Sequence, residues 1–324
     1  MILVTGGMGF IGSHIVRALM NQNKEVLVYD LIAEEKLPLV RSLRFSGTEE
    51  PNLVQGDLCD LNQVKTTIRE NSVDTVIHAA AMSFIPDVLK NPYGAFKVNF
   101  EGTLNILEAA RESSLERIVH ISTSSVYGEI QYAPVDEKHP LNPKEVYGGS
   151  KLVAEKAVEA YTRSYGLKTT IIRPTNVYGP GDLYDRAVKL FIENALAGKP
   201  LSLQGGGLQR RDFTYVEDTV RGIMATLDND LAVGEAFNIS YGEDYSIKEL
   251  AEIIRELIPG TEVQVTPGRD IEIQRRLLDI SKAQRILGYK PIFDLRSGVK
   301  EYIKWTVERY CPILGLEVKN KPTL

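Results

Sequence analysis

The chain has 324 residues, 43% of them hydrophobic and 25% charged, with 38 Lys and Arg against 43 Asp and Glu, a formal net charge of −5. That length suits one large domain or two joined ones, and a mildly acidic balance without a basic run gives no reason to expect nucleic acid as a partner. Cys59 and Cys311 lie far apart in no metal-like spacing, no apolar run approaches the roughly 20 residues of a membrane span, and the chain opens on MILVTGG without a charged leader; these features point to a reduced, cytoplasmic setting with no membrane partner.

The first half alternates short apolar runs with stretches of helical spacing. ILVTG reads as a strand, GFIGSHIVRALMNQ as a helix, and EVLVYD as a second buried strand, followed by a polar stretch from Leu31 to Asn52. NLVQGDL and DTVIHAAA each end a strand on small residues. NPYGAFKVNFEGTLNILEAARES predicts one long helix, ERIVHIST a strand, SKLVAEKAVEAYTRSYG a helix and KTTIIRP a strand. Apolar strands alternating with helices predict a doubly wound parallel sheet, an α/β fold of Rossmann type. After Pro174 the segments NVYGPGD and LQGGGLQRRDF are rich in loop residues. FNIS at 237–240 predicts one more strand, SIKELAEIIRELI a helix capped by Ser246, DISKAQRILGY a short helix and VKEYIKWTVERY a closing one. The expected division is a cofactor domain over 1–175, with a return segment near 235–258, and a smaller substrate-binding domain made mainly of 176–324.

TGGMGFIG, Thr5 to Gly12, carries the chemistry of the first turn. Gly7, Gly9 and Gly12 satisfy G-x-G-x-x-G; Gly6, Gly9 and Gly12 satisfy a form one residue longer. Glycines there let backbone approach a pyrophosphate, and the helix N-terminus adds free N–H donors and partial positive charge. Asp30 ends the next strand about 20 residues on, where a carboxylate can accept from the ribose hydroxyls. A 2′-phosphate beside it would be repelled, so NAD is expected rather than NADP. Asp57, in GDL, could meet the adenine amino group or simply serve a turn. Ala79, Ala80 and Ala81 leave room for a cofactor against the sheet, and His78 reads as a satisfied core histidine.

VYGGSK places Tyr147 four residues before Lys151, so the two share one helix face. A phenol with a pKa of about 10 is a poor base, but a nearby ammonium favours the phenolate. Such a tyrosine can take a proton from an alcohol as hydride leaves its carbon. Gly148 and Gly149 would leave space for a flat cofactor over the helix start, or simply open the helix. The preceding strand ends ISTSSVYG, where Thr123 or Ser124 could hold a substrate hydroxyl in line with Tyr147.

Together these segments resemble the extended short-chain dehydrogenase/reductase superfamily, in its nucleotide-sugar epimerase/dehydratase branch. The resemblance rests on TGGMGFIG, HAAA, VNFEGTLN, STSSVYG, YGGSK, RPTNVYGPG, QRRDFTYVEDT and DISKAQRILGYKP, in that order along nearly the whole chain. It implies Tyr147 as catalytic base, Lys151 as its partner and ribose ligand, and Thr123 as the assisting hydroxyl. It implies cofactor contacts at Gly6, Gly9, Phe10, Ile11, Gly12, Asp30, Asp57, Leu58, the three alanines and Asn99. Substrate contacts follow at Thr123, Ser124, Ser125 and Asn176. Arg211 and Arg269 would clamp the diphosphate, a task that suits the guanidinium fork. It also implies a homodimer paired through the helices at 92–113 and 148–165.

Dehydratases of this branch carry Asp-Glu where this chain has Ser124 and Ser125, and decarboxylating relatives keep a glutamate at Ser125's position. Neither hydroxyl replaces a carboxyl pair at neutral pH. The stretch MSFIPDVLKNP after HAAA, and DIEIQRR after Arg269, leave the sugar and base open. The expectation is an NAD-dependent C4 epimerase of a nucleotide sugar, by default a UDP-hexose or UDP-hexuronate. The alternatives are a net oxidoreductase on the same substrates and a non-catalytic NAD-binding protein.

Overall fold

The computed structural model describes residues 1–113, 115–268 and 277–324. Its central sheet has β1 (Ile2–Thr5), β2 (Val26–Asp30), β3 (Asn52–Gln55), β4 (Thr75–His78), β5 (Arg117–Ile121), β6 (Thr169–Pro174) and a last strand, Ala236–Ile239. All seven run parallel, in the spatial order Ala236–Ile239, β6, β5, β4, β1, β2, β3. The connections run outward in both directions from β1, so the strand order reverses between β1 and β4. In open α/β sheets a crevice forms at such a point, at the carboxyl ends of the strands.

The sheet is buried on both faces because its strands are apolar at successive positions. Val4, Val28, Ile77, Val119 and Ile172 pack on one face with Ile15, Val16 and Leu19 of α1 (Phe10–Asn21). The alternate positions Leu3, Leu27, Val76, Ile118 and Ile171 pack on the other. There they meet Val64 and Ile68 of α3 (Leu61–Glu70), which follows α2 (Leu37–Arg44). The polar stretch after Leu31 thus contains a helix that its composition did not announce.

The long helix expected at 92–113 runs without a gap from Pro92 to Arg111, with a π turn inside it. After α4 (Ile85–Lys90) come α5 (Pro92–Phe96), a π turn over Lys97–Glu101, and α6 (Gly102–Arg111), which supplies Ile106 and Leu107 to the core. The wide turn has a cause: its Asn99 side chain is drawn to Met82, accepting from its N–H at 2.8 Å and donating to its carbonyl at 3.1 Å. Helix α7 (Val146–Tyr165) runs unbroken for 20 residues and ends on Gly166 in the left-handed region.

A second core lies C-terminally. It joins Phe191, Ile192 and Ala195 of α8 (Ala187–Leu196) to helices that follow. Between them α9 (Val216–Met224) sends Val220 and Ile223 back to the sheet. The last sheet strand, expected at 237–240, lies at Ala236–Ile239 beside β6. Helix α10 (Ile247–Leu257) then packs Leu250, Ala251 and Ile254 into the second core, so of the 235–258 return segment only the strand lies in the sheet. Ser246 caps α10 as expected: it accepts from Glu249 N–H at 3.0 Å, and the Glu249 carboxylate accepts from Ser246 N–H at 2.6 Å. Helix α11 (Ser281–Leu287) returns Ala283 to the first core, and α12 (Leu295–Trp305) completes the second with Val299 and Ile303.

Candidate active site

Between β1 and α1 the backbone folds tightly on itself. Gly6 has φ +67°, and a Cβ there would lie 2.6 Å from Ala80 Cα; one on Gly12 would lie 2.0 Å from the Gly6 carbonyl oxygen. Close packing thus requires Gly6 against β4 and Gly12 against the Gly6 carbonyl, and Gly7 is tight as well, a Cβ there lying 2.8 Å from Val28 Cγ1. Gly9 stands at the N-cap of α1, where no side chain caps the helix. Phe10 is buried in the first turn, and Ile11 packs against the sheet core.

Asp30 ends β2 and accepts from Met8 N–H at 2.9 Å, joining the glycine turn to the second strand. Burial raises its carboxyl above the usual range, while the Met8 N–H and the Arg44 guanidinium hold it down. Arg44, at the end of α2, also donates to the carbonyls of Met8 and Gly181. Sequence reasoning missed this arginine, and one basic residue in a polar stretch offered no signal.

Asp57 accepts from Cys59 N–H at 2.9 Å and its own N–H donates to Gln63, the pattern of a turn residue. Leu58 is buried in the core, and its carbonyl accepts from Asn105. Ala79 and Ala80 follow β4, their N–H groups donating to the Thr5 carbonyl and hydroxyl; Ala81 comes next, half-buried. His78 is a satisfied core histidine, with ring nitrogens 2.7 Å from Thr5 Oγ1 and 3.0 Å from Thr103 Oγ1.

Helix α7 starts where β5 ends. Its Gly148 is set by that contact: a Cβ there would lie 2.6 Å from the Ser125 carbonyl oxygen, whereas Gly149 has only the Phe96 ring nearby, at 3.8 Å. The seat of Gly148 is therefore protein backbone. Tyr147 lies in the first turn of α7, half-buried, and Lys151 one turn on, 1% exposed. In the turn that Gly148 packs on, Thr123 caps Ser124–Val126, its Oγ1 accepting from Ser125 N–H at 3.2 Å. Ser124 follows half-buried, and Ser125 Oγ is buried without a protein partner. Ser150 donates to the Tyr147 carbonyl and receives from Asn99 Nδ2, so the π turn is tied to the start of α7.

Lys151 Nζ also has no protein hydrogen-bond partner, and burial pulls its pKa down to about 8. An orphaned ammonium is costly, and ribose hydroxyls of a dinucleotide are groups that would satisfy it. The glycine turn, Asp30 and the open crevice supply the rest of a cradle, so the residues present fit such a cofactor.

Of the residues expected to meet substrate, Asn176 (φ +36°) donates to the Asp212 carbonyl at 3.3 Å, which brings it beside Arg211; the Arg211 guanidinium donates to the Arg210 carbonyl. Arg269 lies outside the described residues. Asp212 itself is buried, its pKa pushed up to about 7 by that burial.

Comparison with known proteins points to one family. Residues 2–240 match the model of the NAD dependent epimerase/dehydratase family. An uncharacterized UDP-glucose epimerase of Bacillus subtilis is 35% identical over 324 residues, covering 95% of this chain and 98% of its own length. Among solved structures, UDP-glucose 4-epimerase with UDP-glucose from Thermotoga maritima superposes with a TM-score of 0.86 at 28% identity, covering 95% and 98% of the two chains. UDP-glucuronic acid 4-epimerase from Bacillus cereus, in complex with UDP-glucuronic acid and NAD, gives 0.85 at 30% identity, covering 95% and 99%.

Proposed function

The chain belongs to the NAD-dependent epimerase/dehydratase family, with NAD as its cofactor, and on that premise we propose that it interconverts the C4 epimers of a nucleotide sugar, a UDP-hexose or UDP-hexuronate. What supports this reading is that Tyr147 and Lys151 stand one turn apart on α7, whose Gly148 packs on the turn that carries Thr123, Ser124 and Ser125, where an elimination would need carboxylates. When bound, NAD supplies a reversible hydride acceptor at C4, so the cycle closes without net redox. Tyr147 takes the 4-hydroxyl proton and later returns it. Lys151 favours the phenolate and holds the nicotinamide ribose. Thr123 accepts an N–H at its oxygen, so its own hydroxyl hydrogen is available to orient the substrate. Asn176, Arg211 and Arg269 anchor the diphosphate while the 4-keto sugar turns over. Asp30 and the glycines at 6, 9 and 12 hold the adenosine half of the cofactor, with Asp57 and Leu58 near the adenine.

In this reading residues 1–175 and the Ala236–Ile239 strand form most of the cofactor part, and 176–324 mainly the substrate part. The molecule is a homodimer joined through α5–α6 and α7. Tyr93 is 81% exposed and Leu89 65%, with Phe96 and Val153 also exposed nearby, which supports an apolar face that a second copy covers. A monomer in sedimentation at micromolar concentration would count against it.

The test of the catalytic assignment is Tyr147→Phe. It should abolish turnover and leave NAD binding intact; full activity would overturn the assignment.

A further inference from the structure

Beneath the reactive pair lies an ion pair that the reaction does not touch. Glu155, one turn after Lys151 on α7, is 0% exposed, and Arg173 on β6 is 3% exposed. Arg173 Nε donates to Glu155 Oε1 at 3.1 Å and Nη2 to Oε2 at 2.7 Å, so both carboxylate oxygens are engaged. The guanidinium is fixed from its other side. Its Nη1 donates to Tyr127 Oη at 3.0 Å, and Tyr127 Oη donates to Asn238 Oδ1 at 2.6 Å. Asn238 Nδ2 in turn donates to the carbonyls of Val135 and Asp279. Four separate stretches of chain thus hold one arginine against one glutamate.

Burying such a pair is weak evidence for stability, because desolvation offsets much of the attraction. Its place in the fold is more telling. The titratable and charged groups that act on or with Lys151 are Glu155 on its own helix, His78 on β4 and His120 on β5, with Arg173 on β6 standing behind Glu155 and Glu137 near Arg173; Tyr147 lies one turn earlier on α7. Both histidines are kept neutral by burial, with the lysine charge acting the same way. Glu155 is therefore the one anion that acts on the lysine in this group, and both its oxygens are bonded to Arg173.

We propose that the Glu155–Arg173 pair is a positioning device that sets the proton affinities of Lys151 and Tyr147 by presenting the lysine with a neutralised carboxylate. A free carboxylate in that place would bind the ammonium directly and hold it away from the ribose. A lone guanidinium would drive the lysine to lose its proton. The balanced pair does neither, and Lys151 stays a buried cation without a protein partner, with a pKa near 8. The inference rests on the catalytic reading of Tyr147 and Lys151 given above.

The test is a titration of Tyr147 that needs no turnover. The near-ultraviolet tyrosinate absorbance is followed against pH, each protein being compared with its own Tyr147→Phe counterpart. Alongside it, kcat/KM is measured against pH. Glu155→Gln removes the carboxylate paired with the guanidinium and leaves Glu137 as its nearby anion, and both limbs of the profile and the Tyr147 titration should move to lower pH by about one unit or more. Arg173→Gln leaves an unopposed carboxylate, and the same quantities should move to higher pH. Glu155→Gln/Arg173→Gln together should return them toward the parent protein. A role in packing alone would lower activity without moving the titration, and shifts of the two single variants in the same direction would overturn the proposal. If Arg173→Gln does not fold, the comparison of Glu155→Gln with the double variant decides, and a double variant shifted as far as the single overturns it. Full activity of Tyr147→Phe would instead remove the catalytic reading itself.

Discussion

His78 Nδ1 lies 2.7 Å from Thr5 Oγ1, across the two strands that border the crevice. Thr103 gives its hydroxyl hydrogen to the Asn99 carbonyl, so its oxygen accepts from His78 Nε2–H, and Nδ1 accepts from Thr5. The ring is neutral in this arrangement. Burial, aided by the Lys151 charge, lowers its pKa to about 3. A group with a depressed folded-state pKa favours the fold above its unfolded value and loses that contribution as pH falls. Stability should decline below about pH 6.5, by about 2 kcal/mol at pH 5 for His78 alone. Urea midpoints between pH 7.5 and 5 check this. A flat profile would mean that the ring can take a proton in place.

His120 pairs with His78 in the β4–β5 register, and neither of its ring nitrogens has a protein partner. Burial also lowers its pKa well below the ordinary value. His120→Leu should remove about one proton from the acid-side dependence and keep or raise stability at pH 7, since an unsatisfied buried polar group costs about 1–3 kcal/mol. The slope of the urea midpoint against pH measures it.

The two glycines of VYGGSK should respond oppositely to the same change. Gly149→Ala adds a methyl group with ordinary contacts in a helix, worth up to about 1 kcal/mol of added helix stability. Gly148→Ala drives a Cβ into the Ser125 carbonyl and must shift the start of α7 away from Thr123. It should lose most activity and lower the urea midpoint. Equal behaviour of the two variants would count against the contact.

Asp30 joins the glycine turn through Met8, and in the proposed reading its carboxylate accepts from the ribose hydroxyls. Asp30→Ala should weaken NAD binding roughly tenfold or more, the scale of a charged hydrogen bond of about 1.5–3 kcal/mol. Arg44, close by, is committed to the Met8 and Gly181 carbonyls. The parent protein should accordingly bind NADP far more weakly than NAD in a fluorescence titration.

Much of this was legible in the sequence, because its causes are local. Apolar runs broken by glycine gave the parallel sheet, Ser246 and Glu249 gave a helix start, and the four-residue step from Tyr147 to Lys151 gave a shared face. What stayed hidden depends on partners distant in sequence. The π turn at Asn99 exists because Met82, 17 residues earlier, draws its side chain. Arg44 is useful only because Gly181 folds beneath it. Glu155 reads as an ordinary charge on a helix until Arg173 arrives from β6. Gly148 invited a cofactor explanation, yet the neighbour that requires it is Ser125.

The most direct measurement is a proton NMR time course of the protein with NAD and UDP-glucose, and in parallel UDP-glucuronate, following the anomeric signals together with NADH absorbance. The account predicts that the C4 epimer of at least one substrate grows to a constant ratio from either side, with no net NADH. NADH accumulating in step with substrate loss, or no change with either sugar, would contradict it.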